Sequence, residues 1–480
     1  MILLLSVSVP LAAAVLYVFL KNVRLKNVVF ALAAAGHFVL STMLLCADDC
    51  GMELKFHGST VLCADYEGTF LLWLTSLLFA LFAIHFLCWL PREKEIEKLR
   101  EKKNVLLSDA VTVPAVLLFL ATMTLVILAG NFGLFWVALE ATTLASAPLI
   151  CFYRKRSSLE AMWKYLLICS VGIALALFGI LLLAVSGIMP NGENAGLDFA
   201  TLAERREFLN LNWFKAAFIF ALAGFGSKMG LAPFHTWLPD AYSEAPGPLT
   251  ALMSGTLVNC SFLGLIRFTR IAPDALQYFC STMLTAIGLF SVAVAAIFII
   301  RQNDFKRMLA YSSVEHMGLA AILWGLGATD VTLLHISAHS FIKMTLFLLA
   351  GNIIMTERSR SISGISGLFT TIPRNAVLFL IGILFICGTP PSPLFVTEFM
   401  LVKNAPLWLG MTVLLLLFTI LAGMSQACLK MVMGKTSAAD GLRQISAKRS
   451  EELTWIPMAV IGIMAVAGLF MLYLANCGRI

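Results

Sequence analysis

The sequence has few charged residues and no long polar stretch. Only 13% of its 480 residues are charged, whereas 60% are hydrophobic; an ordinary soluble domain carries roughly 25% charged residues. The composition therefore excludes a soluble domain, and the mean hydropathy of +0.90 indicates an integral membrane protein. The net charge of +7 then reports on membrane orientation and does not indicate a nucleic-acid partner.

The sequence also lacks closely spaced metal-binding cysteines. None of its 11 cysteines forms a CxxC pair, and iron–sulfur clusters and covalent haem need such spacing. We therefore expect no cofactor, no metal and no catalytic residue in this chain. Cys46 and Cys50 are the closest cysteines, and a disulfide with Cys63 is left open. A phosphate-binding loop at Gly434-Lys435-Thr436 is excluded, because Leu429 stands where its first glycine should be.

Long apolar runs dominate the chain. A membrane-crossing helix needs roughly 20 mostly apolar residues, and the sequence contains fourteen such runs, which we number as segments 1 to 14. The predicted fold is an all-α polytopic membrane protein. The segments are predicted at 3–20, 27–46, 69–90, 110–128, 131–150, 164–187, 213–232, 248–270, 279–300, 305–327, 331–354, 375–402, 406–429 and 453–475.

The basic residues are distributed unequally between the two sides of the membrane. With the N-terminus outside, the inside loops hold 24 lysines and arginines and the outside parts hold 8. Basic residues favour the cytoplasmic side, so we expect a plasma-membrane protein with both termini on the non-cytoplasmic side. Basic residues follow segment 1 and do not precede it, which predicts a retained anchor and not a signal peptide.

Ionisable side chains stand inside several segments. A charge at the middle of a membrane helix costs on the order of 3 kcal/mol, so it calls for a functional hypothesis. Glu140, Lys228, Lys343 and Glu398 are four such charges of mixed sign, and packing alone is a poor reason to keep them. We expect Lys164 and Arg267, close to segment ends, to extend to the interface instead.

Histidines accompany these charges. His335, His339 and Lys343 recur every four residues, so they share one helix face and can pass a proton through water. His316, next to Glu315 in segment 10, fits a packing role and a proton-transfer role about equally well. His235 follows Lys228 at the break in segment 7.

Prolines interrupt segments 7 and 12 beside their charges. Lys228 precedes Pro233, and Pro393 precedes Glu398. Such breaks are tolerated only next to protein or water. The offset from Lys228 to Glu398 is 170 residues, and from Glu140 to Glu315 it is 175. This near-equality predicts a repeat.

The repeat unit is five segments long. Segments 4–8 and 9–13 read as two copies, and an odd period makes the second copy enter from the opposite face, as in inverted-repeat transporters. The predicted organisation is three N-terminal helices in 1–105, a first bundle in 106–272, a second bundle in 273–432, and a basic loop with segment 14 in 433–480.

The arrangement predicts a route for protons. Desolvation lowers the proton affinity of a buried lysine and a nearby anion raises it, so moving Glu140 relative to Lys228 would load and unload a proton. Lys343 and Glu398 would carry it through the second half, with His335 and His339 between them. Transfer against roughly 100 mV costs about 2.3 kcal/mol per charge, and the chain has no site for an energy source.

Specific motifs carry a resemblance to a known family. They are WVALEATTLASAPL, RSSLEAMWKY, GFGSKMGLAPFHTWLPDAYSEAPGPLTALMSGTLVNCSFL, DFKRMLAYSSVEHMGL and LFVTEFM. With them the sequence resembles the antiporter-like membrane subunits shared by respiratory complex I, Mrp-type cation/proton antiporters and membrane-bound hydrogenases. Within that group it is most similar to component F of hydrogenase-4 and its formate hydrogenlyase relatives.

The resemblance implies fourteen helices, two inverted five-helix bundles and specific site residues. Its Glu and Lys pair maps onto Glu140 and Lys228, its central lysine onto Lys343 and its terminal acidic residue onto Glu398. Asn259 stands where complex I relatives commonly have lysine, so the link between bundles would run through Asn259 or water. Because the sequence stops after segment 14, we expect no long lateral helix. The full set of candidate proton-transfer residues is Glu140, Lys228, His235, Asn259, Glu315, His316, His335, His339, Lys343 and Glu398.

The predicted function is that of a proton-translocating subunit in a multisubunit oxidoreductase of hydrogenase or NADH:quinone oxidoreductase type. Its expected partners are other membrane subunits, soluble iron–sulfur, hydrogenase or dehydrogenase subunits, the lipid bilayer, and protons or sodium, with no nucleic acid. One alternative is a subunit of an Mrp-type sodium/proton antiporter without electron transfer. Another is a passive scaffold that anchors redox subunits.

Overall fold

The computed structural model describes residues 1–47, 52–56, 58–99, 106–188, 196–434 and 441–476. Helices occupy all fourteen predicted segment positions, and the all-α class is confirmed. Segments 1 to 6 are single helices at Ile2–Phe19, Val23–Leu45, Tyr66–Leu99, Asp109–Leu128, Phe132–Ile150 and Arg156–Ser186.

Segments 7 and 8 are irregular. Segment 7 consists of the helices Leu211–Met229 and Trp237–Glu244, joined through a 3₁₀ turn at Phe234–Thr236. Segment 8 is continuous but contains a π-helical turn, and its three parts are Gly247–Leu252, Met253–Leu257 and Val258–Arg270.

In the C-terminal half, segment 12 is the divided one. Its two helices are Pro373–Ile386 and Pro393–Asn404. The other segments, 9 to 11, 13 and 14, are Gln277–Ile300, Phe305–Gly325, Thr329–Glu357, Leu407–Val432 and Trp455–Asn476.

Short elements lie between the segments. Strands Glu53–Phe56 and Ser59–Cys63 form an antiparallel hairpin between segments 2 and 3. The short helices are Phe199–Glu204, Arg206–Phe208, Asp274–Leu276, Ile362–Gly364, Leu368–Thr371 and Gly441–Glu451.

Among the described residues, twelve helices are long and apolar enough to cross a membrane. Segments 10 and 12 account for the difference from the fourteen predicted. The break leaves segment 12 as helices of 14 and 12 residues, and segment 10 carries Lys306, Arg307 and Glu315. Both departures come from the interruptions and charges that mark these segments as candidates for function.

Two isolated backbone bridges occupy corresponding positions in the two halves of the chain. Asn131 caps the N-terminus of segment 5 and bridges to Asp198, after segment 6. Asp304 caps the N-terminus of segment 10 and bridges to Ser361, after segment 11. The second bridge comes five segments after the first. Because five is an odd number of crossings, the two bridges are expected on opposite sides of the membrane. This is the relation that an inverted repeat requires, whereas the bundle boundaries stay a prediction.

The prediction that Arg267 extends to the interface is wrong. Its side chain is only 3% exposed and forms an ion pair with Asp65 at 2.8 Å. It also donates a hydrogen bond to the Ile127 carbonyl oxygen at 2.7 Å, at the end of segment 4, where carbonyl groups lack helical partners and favour a cation. Lys164, in contrast, is 47% exposed and pairs with Asp240.

The disulfide that the sequence left open is not formed at Cys63. Cys46 and Cys63 are both free thiols, and the Cys63 thiol lies 3.5 Å from the Ala129 carbonyl oxygen. Cys50 lies outside the described residues, as do Lys435 and Thr436 of the excluded phosphate loop.

Candidate functional site

Lys228 is fully buried at the end of the first helix of segment 7. The helix stops there because Gly230 adopts a left-handed conformation with φ 89°, which glycine reaches without strain. The Lys228 ammonium donates hydrogen bonds to the Leu139 carbonyl oxygen and the Thr143 hydroxyl, each at 2.5 Å. Segment 5 thus supplies both acceptors for the buried cation.

Glu140 is not in direct ionic contact with Lys228. The Ser170 hydroxyl donates to one carboxylate oxygen of Glu140 at 2.6 Å, and the Thr143 hydroxyl lies 3.5 Å from the other. A hydroxyl can donate one hydrogen bond while accepting another. Thr143 therefore bridges the lysine and the carboxylate, and this bridge is one through which a proton can pass.

Removing the Thr143 hydroxyl should uncouple this pair. On the proton route predicted from the sequence, we expect Thr143→Val to lower translocation about 10-fold, because general acid–base contacts are worth about 10²–10⁴-fold and water replaces part of the bridge. Thr143→Ser keeps the hydroxyl and should retain most of the rate. The measurement is dye-detected proton uptake in vesicles containing equal amounts of assembled complex. Equal rates for the two variants would contradict the bridging role.

His235 lies apart from the Lys228 contacts. It occupies the 3₁₀ turn in the break of segment 7 and is 6% exposed. Its ring centroid lies 6.4 Å from that of Phe298 and 5.9 Å from that of Tyr311, so it faces segments 9 and 10. Its Nδ1 has no hydrogen-bond partner among the described residues. His235 therefore sits at the junction of the two halves of the chain.

Asn259 connects segment 8 to segment 11. Its amide nitrogen donates to the Gly255 carbonyl oxygen and to the Ser340 hydroxyl, both at 2.9 Å. Gly255 belongs to the π-helical turn, a feature that is frequent at functional sites. The Asn259 side-chain oxygen is buried, and no group in the described part of the chain hydrogen-bonds to it. The structure therefore places Asn259 at the contact between the two predicted bundles.

Lys343 repeats the environment of Lys228. It is fully buried and donates to the Leu309 carbonyl oxygen and, at 2.6 Å, to the Ser312 hydroxyl. Segment 10 supplies these acceptors, as segment 5 does for Lys228, and segments 5 and 10 correspond in the repeat. The two lysines nevertheless come from segments that do not correspond, 7 and 11.

Three histidine rings lie together beyond Lys343. His316 Nδ1 is 3.3 Å from His335 Nε2, and the His316 ring centroid is 5.2 Å from that of His339. His335 Nδ1 is 2.9 Å from the Thr397 hydroxyl oxygen, on the second helix of segment 12. His316, which the sequence left between two roles, is thus the central ring of the cluster.

Two buried carboxyl groups next to His316 and Thr397 in the sequence have oxygens without hydrogen-bond partners in the described part of the chain. Both oxygens of Glu315 and Oε1 of Glu398 are buried and unpartnered within the described part of the chain. A buried unsatisfied polar group costs about 1–3 kcal/mol, so such groups mark places where water or a proton is accommodated. No group of three or more His, Cys, Asp or Glu among the described residues is arranged to hold a metal ion.

Sequence reasoning missed the hydroxyl partners and the π-helical turn. Thr143 is three residues from Glu140 and shares its face, so spacing could have identified it. The others belong to different segments from the groups they serve and give no sequence signal. These partners are Ser170, Ser312, Ser340 and Thr397.

Comparison with known proteins assigns the family. Residues 129–425 match the family described as NADH:quinone oxidoreductase/Mrp antiporter, transmembrane. The chain belongs to this family. It is an antiporter-like membrane subunit, and the resemblance drawn from its motifs is confirmed.

Individual relatives share part of their length with this chain. A hydrogenase-4 component F homolog of Methylacidiphilum infernorum is 39% identical over 290 residues, covering 59% of this chain and 60% of that protein. Hydrogenase-4 component B of Escherichia coli is 29% identical over 297 residues, covering 58% and 43%. NADH-quinone oxidoreductase subunit N of Ruthia magnifica is 27% identical over 301 residues, covering 60% and 61%. The chain therefore matches less than two thirds of the length of each relative.

A solved structure shares the whole fold. It is that of the membrane-bound sulfane sulfur reductase, an archaeal respiratory membrane complex, with a TM-score of 0.81 over 99% of this chain and 95% of that chain. Sequence identity is 20%, so the likeness concerns the fold.

Proposed function

We propose that the chain translocates protons as a membrane subunit of a multisubunit oxidoreductase. The observation that carries this proposal is the pair of buried lysines, each donating to a carbonyl and a hydroxyl of segment 5 or segment 10. A buried ammonium held by neutral acceptors can lose its proton without breaking an ion pair. A lysine in this environment is therefore better suited to reversible proton binding than a lysine held in a permanent ion pair.

The route runs along the centre of both bundles. Glu140, Thr143 and Lys228 form its first part, and the hydrogen bond from Asn259 to Ser340 joins segment 8 to the helix that carries Lys343. The histidine cluster continues from Lys343 to Thr397, next to Glu398. Water completes the steps between groups that do not touch.

Partner subunits supply the energy in this proposal. The relatives are named as hydrogenase-4 components and quinone oxidoreductase subunits, and we infer an assembly of the same kind, with hydrogenase or dehydrogenase subunits carrying iron–sulfur clusters. We place it in the plasma membrane with both termini outside, from the distribution of basic residues. A partner must favour one state of the route over another, since only a differential interaction shifts an equilibrium.

Purification of the intact complex through a tag on this chain tests the proposal. We expect redox subunits to co-purify, and electron transfer by them to drive proton uptake into vesicles in sodium-free buffer, detected with a pH-sensitive dye. A complex of small membrane proteins without redox subunits, exchanging sodium for protons, would establish the antiporter alternative instead.

A further inference from the structure

Segment 14 touches the break in segment 12 at Gly468. A Cβ atom on Gly468 would overlap the Pro391 carbonyl oxygen and would lie 2.8 Å from the Pro391 carbonyl carbon and 3.0 Å from the Pro393 nitrogen. Backbone therefore meets backbone, and no larger residue fits unless one of the two helices moves. Elsewhere on segment 14, Gly462 has nothing within 4 Å of such an atom.

The loop that Gly468 contacts lies against Glu398 on its other side. Gly388 adopts φ +63°, and a Cβ there would lie 2.6 Å from the carboxyl carbon of Glu398. The loop between the two helices of segment 12 is thus held between segment 14 and the Glu398 carboxyl group.

Internal hydrogen bonds make this loop stiff. The Thr389 backbone nitrogen and hydroxyl both donate to the Leu384 carbonyl oxygen, at 3.1 and 2.8 Å. The Ser392 nitrogen donates to the Thr389 oxygen at 2.9 Å, and the Ser392 hydroxyl to the Phe385 oxygen at 2.9 Å. These hydrogen bonds join the two ends of the loop, so we expect a displacement at Pro391 to reach Gly388.

The N-terminal end of segment 14 follows a helix that contacts two other segments. The helix Gly441–Glu451 precedes it, and Arg443 on that helix forms an ion pair with Glu357, at the end of segment 11, at 2.7 Å. Glu451 accepts from the Asn375 backbone nitrogen, at the start of segment 12, at 3.1 Å. The helix that leads into segment 14 is therefore attached to the end of segment 11 and the start of segment 12.

We propose that Gly468 is a positioning residue for proton transfer at Glu398. By having no side chain, it lets segment 14 set the position of the loop between the helices of segment 12, and the loop in turn sets the position of the Glu398 carboxyl group. This inference rests on the proposed function, in which Glu398 is the last group of the route. It gives segment 14, outside both five-segment repeats, a role in proton release.

The test compares Gly468→Ala with Gly462→Ala in the complete complex in vesicles. The two substitutions raise helix propensity equally, but only the first meets the loop. We expect Gly468→Ala to lower redox-driven proton translocation about 10-fold, since small misplacements near reacting groups are costly, and to shift its pH profile. Gly462→Ala should match the unaltered complex in both. A matching rate and pH profile for Gly468→Ala would overturn the inference.

A double variant separates this inference from the proposed function. Where Glu398→Gln alone lowers translocation to a measurable residual rate, adding Gly468→Ala should cause no further loss, because both act on one step; an additional, independent loss would overturn the positioning role. Full translocation in Glu398→Gln would instead refute the proposed route at its last group. Should Gly468→Ala not assemble, Met464→Ala, one turn away on the same buried face, loosens the contact without overlap. A shifted pH profile then supports the inference, and an unchanged profile overturns it.

Discussion

Lys228→Met is expected to reduce redox-driven proton translocation about 100-fold or more, as loss of a general acid–base group does. Methionine keeps an unbranched side chain in the buried space but cannot carry a proton. The Thr143 hydroxyl would still contact Glu140, yet no titrating group would remain beside it. The measurement is the initial rate of dye-detected proton uptake per assembled complex.

Lys215→Met is the matched control. Lys215 lies on the same helix of segment 7, is exposed and extends over the Phe279 ring, so its loss should leave the rate unchanged. Lys228→Met also leaves two buried acceptors without their donor, which costs about 1–3 kcal/mol. Assembly must therefore be quantified for both variants. Normal translocation by fully assembled Lys228→Met complex would favour the scaffold alternative.

Most of the fold follows from local sequence. Long apolar runs predict the helix positions because backbone groups in a bilayer must form their hydrogen bonds within the segment. The prolines predict the breaks at Pro233 and Pro391. The bridges from Asn131 and Asp304 were not predictable, because each depends on a residue of a distant loop that folding brings close. The π-helical turn at 253–257 likewise depends on packing of segment 8 against segment 11.

The charged members of the site were predictable and their partners were not. Lys228 and Lys343 stand out because a charge in an apolar segment is costly. Ser170 and Ser340 look like ordinary membrane-helix serines, which usually hydrogen-bond to their own helix, so nothing in the sequence marks them. For Arg267 the sequence signal was misleading. Its position close to a segment end suggested exposure, whereas the free carbonyl groups of segment 4 bind it inside the protein.

Lys343→Met should stop translocation as completely as Lys228→Met. Lys343 lies between the Asn259–Ser340 contact and the histidine cluster, so a single route through both bundles has no way around it. Lys403→Met, an exposed position at the end of segment 12, is the control and should leave the rate unchanged. Proton uptake per assembled complex is again the measurement.

The decisive comparison is between the single variants and the double variant. On one continuous route either substitution removes nearly all transport, and the double variant loses no more than each single one, because groups that act in series are not additive. Two separate routes, one in each bundle, would leave partial rates in both single variants and lose them only in the double. That second result would contradict the link through Asn259 while leaving both lysines as proton-binding groups, so the comparison tests the connection between the bundles independently of the groups it joins.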